Sequence, residues 1–280
     1  MEAVTAKQIW VPTRLILSLL VTLLMVFPLY WLVITSLKTP AELKAAFPTF
    51  WPETFAWSNY KVVFQSIPLA RYGLNTIIQT VGIVSLQMNV ALLAAYGFAK
   101  GNFWGRDKLF VAIIAALIVP EQVVFVPVYV MLSKLGWINT YWALIIPHGA
   151  SAYSIFLLRQ AFKSLSSDVM EAASMDGANR FRIIYRILAP MAMPTIITVL
   201  ILKVISSWNS YFWPLIMTNT NNMRVLTVGI SMFKESFPGM EMMSYHLIMA
   251  GSVCAIAPIV LLFVFAQKHI VVAMANSTFK

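Results

Sequence analysis

The sequence is poor in charge, poorer still in acids, and almost without cysteine. Only 11% of its 280 residues are Asp, Glu, Lys or Arg, and only ten are acidic. Soluble domains carry about 25% charged residues, so this chain lacks the polar side chains needed to cover a water-facing surface. Cys254 is the single cysteine, which excludes an internal disulfide and any disulfide-framed scaffold. No Gly-x-x-x-x-Gly-Lys-Ser/Thr run occurs; Gly101 and Gly105 lead into Arg106-Asp107-Lys108, which does not fit that spacing. The chain is therefore not an ATPase of the phosphate-loop type. His148, His246 and His269 have no metal-ligand spacing, so no metal site is expected. There is no convincing internal repeat and no low-complexity tract.

What the sequence does have is apolar length. Apolar residues make up 60% of the chain, and the mean hydropathy is +0.80. A membrane helix needs about 20 mostly apolar residues to cross about 30 Å of hydrocarbon. Six runs meet that need: Leu15 to Leu37, Tyr72 to Ala99, Leu109 to Ser133, Thr140 to Leu158, Ile187 to Met217 and Leu247 to Ala266. The first is too long for a signal-peptide core and has no small-residue cleavage site, so it is expected to remain as an anchor. The expected fold is all-α, a polytopic membrane protein with six transmembrane helices. With the N-terminus inside, inner segments 1–14, 100–108, 159–186 and 267–280 hold twelve Lys and Arg, against seven in outer segments 38–71, 134–139 and 218–246. That bias places both termini in the cytoplasm. The net charge of +10 then reads as attraction to membrane lipid. No recognition-helix motif supports nucleic-acid binding. The sixteen methionines are read as adaptable helix-packing or lipid-facing filler.

The outer loops differ in character. Segment 38–71 carries Pro40, Pro48, Pro52 and Pro68 with Trp51 and Trp57. The prolines forbid a continuous helix, and the tryptophans suit the headgroup level. Segment 218–246 opens polar, Thr218 to Asn222, and carries Pro238-Gly239.

The inner segment 159–186 is the least lipid-like part, with five basic and three acidic residues in 28. Asp168 and Glu171 have capping-box spacing for a short helix, Val169 to Met175, that contains Ala172 and Ala173. Asp176-Gly177 is expected to end that helix in a left-handed turn. Asn179 is placed to cap a second helix, Arg180 to Leu188, and Pro190 to open the next span. The product is helix, glycine turn, helix at the membrane face. Its small residues and single acid suit insertion into another protein's groove.

Glu171-Ala172-Ala173, Asp176-Gly177-Ala178, Ile187 and Pro190 resemble the EAA loop of binding-protein-dependent ABC importer permeases. Further residues carry the likeness toward the carbohydrate-uptake branch and its six-span, maltose-permease-like subunit. They are Pro120-Glu121-Gln122, Pro127, Gly136, Thr140, the run Trp208-Asn209-Ser210-Tyr211-Phe212-Trp213-Pro214-Leu215, and Leu226-Thr227-Val228-Gly229. The resemblance implies a type I ABC importer transmembrane domain at 72–266, with the EAA loop at 168–190. An N-terminal helix and outer segment at 1–71 would precede it, and a cytoplasmic tail at 267–280 would follow. It implies a bacterial or archaeal inner membrane, a second homologous permease, two cytoplasmic ATPases that hold ATP and Mg, and an extracytoplasmic solute-binding protein. No cofactor is expected on this chain itself. Glu171, Ala172, Ala173, Asp176, Gly177, Ile187 and Pro190 become ATPase-docking residues: Glu171 pairs with an ATPase arginine, Gly177 makes the turn, and the two alanines give close contact. Asn219 to Tyr245 becomes the expected contact for the binding protein. Two departures stand out. Ala189 replaces the usual leucine before the proline, and the tail Met274 to Lys280 lacks the usual glycine-rich character.

Polar residues within the runs are functional candidates by default. Glu121 is the thirteenth residue of its run, and Lys203 lies in the middle of the fifth. They either neutralise one another, face a wet crevice, or line the transport path. A cation where the family usually has an uncharged residue favours a substrate of anionic character, such as a uronate oligosaccharide. Trp208, Asn209, Tyr211 and Trp213 suit a sugar path by stacking and amide bonding, or else form an interfacial belt with Asn209 satisfied between helices. An alternative is an ion- or proton-coupled transporter with Glu121 as proton carrier. That alternative predicts repeats and paired short spans, and neither is visible in the sequence. An intramembrane enzyme would need a clustered nucleophile and base, which Glu121 and His148 alone do not supply.

Overall fold

In the computed structural model the backbone is described for residues 2–45, 47–235 and 241–278, with side chains for 14–45, 47–233, 244–265 and 267. The described residues are helical, with no strand among them. In chain order the helices are α1 (Glu2–Ser36), α2 (Pro40–Leu43), α3 (Ser58–Ser66), α4 (Leu69–Lys100), α5 (Arg106–Ala115), α6 (Glu121–Lys134), α7 (Tyr141–Ile145) and α8 (Ala152–Lys163). They continue as α9 (Asp168–Met175), α10 (Arg180–Ile183), α11 (Ala189–Met191), α12 (Met193–Trp208), α13 (Phe212–Met217), α14 (Leu226–Glu235) and α15 (Glu241–Thr278).

Three stretches are continuous and apolar enough to cross a bilayer: Arg14–Ser36, Leu69–Lys100 and Ser244–Phe265. Three more crossings are bent pairs. Arg106–Ile118 meets Glu121–Lys134 at 100°, Tyr141–His148 meets Ala152–Lys163 at 43°, and Arg180–Met191 meets Met193–Trp208 at 88°. Counted as pairs they bring the total to six, and three of the six apolar runs are broken by a bend. Proline is the physical reason. It has no N–H to donate, and its ring clashes with the preceding turn. Pro120 is extended at the first bend. Pro147 precedes the second, where the helix restarts on Ser151 through a 3.3 Å bond from the Ser154 N–H. Pro190 and Pro194 flank the third. The bent pairs also show paired short helices that the sequence alone did not reveal. Apolar composition runs straight through a bend and conceals it.

The chain divides into two compact units, residues 1–69 with 229–257 and residues 70–228 with 258–280. In the second unit one apolar cluster joins the inner half of α4 to α8 and to the segment after α9. Ala91, Leu92 and Ala95 meet Ile155, Leu158 and Phe162, together with Ile184, Leu188, Ile196 and Val199. The spacings are three and four residues, which place each set on one helix face. Ala91 and Ala95 are wholly buried, and their size lets backbones approach closely, as membrane helix contacts require.

In the first unit a clasp closes the segment after α1. The Asn59 amide donates to the carbonyls of Ser36 and Lys38, both at 2.9 Å. The Glu42 carboxylate accepts from the Thr39 N–H at 2.7 Å and from the N–H groups of Glu53 and Thr54. Lys38 is buried, donates to the Thr49 carbonyl, and lies 4.7 Å from the centre of the Trp31 ring. Partial burial acts upward on the Glu42 pKa, but the hydrogen bonds from Thr39, Glu53 and Thr54 outweigh it and hold the carboxyl below its ordinary range.

Candidate functional site: the inner loop and the polar residues of the spans

The inner loop folds as helix, turn and helix. Its start differs from the expected capping box, because Asp168 is the first residue of α9, not its cap. Ser167 precedes the helix without a side-chain bond to it, and the Asp168 N–H donates to Ser166 Oγ at 3.2 Å. An acid in the first turn, Asp168 or Glu171, still complements the helix dipole. α9 ends in a reversal in which the Gly177 N–H donates to the Ser174 carbonyl at 3.1 Å and the Ala178 N–H to the Ala173 carbonyl at 2.9 Å. Gly177 adopts φ of +78°, the left-handed region where a side chain is strained. Asn179 then caps α10, its Oδ1 accepting from the Arg182 N–H at 2.9 Å. The second helix does not run evenly to Leu188. It widens into a π turn over Ile184–Leu188, and Pro190 opens the short α11 ahead of the bend; the span itself begins at Met193.

This geometry sorts the predicted loop residues by direction. Glu171, Ala172, Asp176, Gly177 and Pro190 are exposed. Ala173, Ala178 and Ile187 are half-buried and pack on the apolar cluster. The two alanines therefore face different ways, and only Ala172 lies open. Met175, which the sequence reading passed over, is 84% exposed. It lies four residues from Glu171 and so shares its face. That spacing was the signal available in the sequence.

The polar span residues fall into two places. Glu121 is not mid-helix, as its position in the run suggested. It occupies the first turn of α6, directly after the Pro120 bend, and is exposed. A helix N-terminus favours an acid there. Lys203, on α12, is half-buried, and the ion pairs among the described residues do not include it or Glu121. The His148 ring stands edge-on to Trp213, with centroids 5.0 Å apart, and its Nε2 is buried without a hydrogen bond. Trp213 also packs against Phe125 at 5.6 Å and donates to the Ala143 carbonyl at 2.9 Å.

The aromatic run 208–213 divides because α12 ends at Trp208 and α13 begins at Phe212. Trp208 lines an apolar cavity of about 360 Å³ with Thr80, Val84, Val204 and Pro258. Trp213 belongs to the His148 cluster. The Asn209 amide folds back onto its own helix and donates to the Ile205 carbonyl at 3.0 Å. Tyr211 is 41% exposed. The structure thus sets His148 against Trp213 and lines an apolar cavity with Trp208.

On the opposite end of the spans, the outer segment is tied down by two asparagines. Asn139, at φ of +63°, accepts through Oδ1 from the N–H groups of Asn219 and Thr220 and from the Thr220 hydroxyl, at 2.9 to 3.1 Å. The Asn75 amide donates to the carbonyls of Asn222 and Arg224, both at 2.8 Å, while its oxygen accepts from the Tyr141 hydroxyl at 2.7 Å. Pro238-Gly239 lie outside the described residues.

Comparison with known proteins agrees with this architecture. Residues 88–276 match the family described as binding-protein-dependent transport system inner membrane component. The probable ABC transporter permease protein YurM of Bacillus subtilis is 30% identical over 262 residues, covering 91% of this chain and 83% of that one. The arabinooligosaccharides transport system permease protein AraQ of Halalkalibacterium halodurans is 30% identical, covering 89% of each. A chain in the crystal structure of a bacterial ABC transporter involved in the import of the acidic polysaccharide alginate superposes with a TM-score of 0.83 at 24% identity, over 94% of this chain and 97% of that one. With helices long and apolar enough to span a membrane and a family match over most of its length, the chain belongs to the binding-protein-dependent transport system inner membrane components, the permease subunits of ABC transporters.

Proposed function

We propose that this chain is one of two permease subunits of an ATP-driven importer of sugars or oligosaccharides, and that α9 is the part that docks with a cytoplasmic ATPase. The observation that carries the reading is the loop's two-sidedness. Glu171, Ala172, Met175 and Asp176 lie open on one side, while Ala173, Ala178 and Ile187 fix the other side to the span cluster. A push on the open side therefore reaches α4, α8 and α12 as one packed body. ATP and Mg are held by the partner ATPases, and closure of those subunits drives the spans between inward- and outward-open states. Both termini lie in the cytoplasm, and the outer segment around Asn219 to Arg224 receives the solute-binding protein. The sugar class is supported by relatives such as the arabinooligosaccharide permease.

Within the path, Lys203 favours an anionic sugar such as a uronate oligosaccharide. Trp208, Asn209 and Tyr211 lie near the outer end of the same span. Membership of a binding-protein-dependent family sets aside the ion-coupled reading in spite of the broken helices. The test is binding-protein-dependent, ATP-driven uptake in liposomes holding the full complex. Glu171→Ala is expected to abolish uptake and the stimulation of ATPase by the binding protein. Normal ATP-independent uptake in that variant would overturn the coupling role. Lys203→Met is expected to lower uptake of an anionic oligosaccharide and spare a neutral one; equal uptake of both would remove the anionic preference and leave the importer reading intact.

A further inference from the structure

The inner end of α4 carries a cavity that the transport reading does not use. α4 has 32 residues, about 48 Å at 1.5 Å per residue, against about 30 Å of hydrocarbon. Its last turn, ending at Lys100, is placed at headgroup level by the orientation proposed above. A cavity of about 640 Å³ opens there, lined by Tyr96, Gly97 and Lys100 of α4, Phe103 of the following turn, and Arg180 and Phe181 of α10.

Its charge is one-sided, with two cations and no acid in the lining. Asp107, in the first turn of α5, is already paired with Arg106 at 3.1 Å and Arg159 at 3.9 Å. Lys100 gives one N–H to the Leu165 carbonyl at 2.6 Å, and an ammonium has three. Arg180 is exposed, with a planar fork that matches phosphate oxygens. The walls are apolar and open, since Leu93 is 40%, Phe103 43% and Phe181 64% exposed. Cationic depth with greasy walls, at the polar end of a span, matches one membrane component. The lining comes from α4, its following turn and α10, whereas the acid-bearing open face proposed for the ATPase lies on α9.

We infer that this cavity binds an anionic phospholipid of the surrounding leaflet, with Lys100 and Arg180 on the headgroup phosphate and an acyl chain along Leu93 and Phe181. Basic recesses between helices at the membrane face hold such headgroups. The leaflet follows from the orientation proposed above, but the binding does not depend on what is transported. Arg180 opens the helix directly after the Gly177 turn, so an occupied cavity holds the root of the inner loop to α4.

The test uses the assembled transporter in nanodiscs of phosphatidylcholine with or without phosphatidylglycerol, extracted with detergent, with retained lipid counted by mass spectrometry. Wild type is expected to retain phosphatidylglycerol in preference to phosphatidylcholine. Arg180→Gln should lower that retention about fivefold. Gly97→Leu should abolish it, since a Cβ at Gly97 meets nothing within 4 Å and the side chain would fill the cavity without distorting the helix. Lys108→Gln, which changes an exposed cation outside the lining, should leave retention unchanged. Equal retention in all four proteins overturns the site, and so does an equal loss in Lys108→Gln, which would mean a diffuse field. Displacement of the lipid by inorganic phosphate alone would make free phosphate the ligand and overturn the lipid assignment. Intact retention with lost ATPase stimulation in Arg180→Gln would assign that cation to the ATPase contact. Failure of the sugar-import reading would leave the lipid counts unaltered.

Discussion

Tyr185 donates its hydroxyl to the amide oxygen of Asn89 at 2.7 Å. The bond ties the π turn after the inner loop to the inner half of α4. It is the polar counterpart of the apolar cluster, and under the proposed coupling it would carry a movement of the loop to α4. Tyr185→Phe removes the donor and nothing else. A neutral hydrogen bond contributes about 0.5–1.5 kcal/mol, so the ratio of substrate moved to ATP hydrolysed should fall about two- to tenfold while expression is unchanged. Parallel assays of uptake and phosphate release in proteoliposomes measure that ratio. A value equal to wild type would mean that the apolar contacts alone carry the coupling.

The turn at Gly177 gives a second prediction. Its φ of +78° costs a residue with a Cβ about 1–2 kcal/mol, although nothing lies within 4 Å of the Cβ position. Gly177→Ala should thus be destabilising through conformation alone, by a few degrees in thermal unfolding, with weakened stimulation of the ATPase. Gly177→Asn should recover part of the loss, because asparagine tolerates the left-handed region. If both variants melt and couple like wild type, the turn is not held in this conformation in the assembled transporter.

Acid should open the clasp around Glu42, but late. Its pKa is held below the ordinary 4.5 by the bonds that outweigh its partial burial, so the clasp's contribution is fully present above 4.5 and fades as pH falls through the lowered value. Hydrogen exchange on segment 38–57 should stay protected down to about pH 4.5 and lose protection below it. Glu42→Gln should show weaker protection at neutral pH and no acid step. Loss of protection well above pH 4.5 in wild type would contradict the arrangement.

Much of this was legible in the residues, for identifiable reasons. Helical class and the number of crossings follow from apolar run length. The helix–glycine–helix loop follows from Gly177 and Asn179, whose turn and cap chemistry is local. Depth and direction were not legible. Glu121 reads as mid-span from its position in a run, and only the Pro120 bend turns it into a helix-start residue. Ala172 and Ala173 are adjacent letters on opposite sides of a short helix. Trp208 and Trp213 look like one cluster until α12 stops at Trp208. The alanine pair separates through the helical step within α9; the other misses come from a change of chain direction, which composition does not record.

The asparagine ties at the outer face change what a partner has to do there. A loose loop of this length would lose about 1–2 kcal/mol of backbone freedom for each residue frozen at docking. Residues 219–224 are already held by Asn75 and Asn139, so a binding protein that docks there, as proposed above, would meet a rigid ledge and not a tether. Pre-ordering of this kind spares a docking partner the cost of freezing the segment, so the contact gains affinity without any added area.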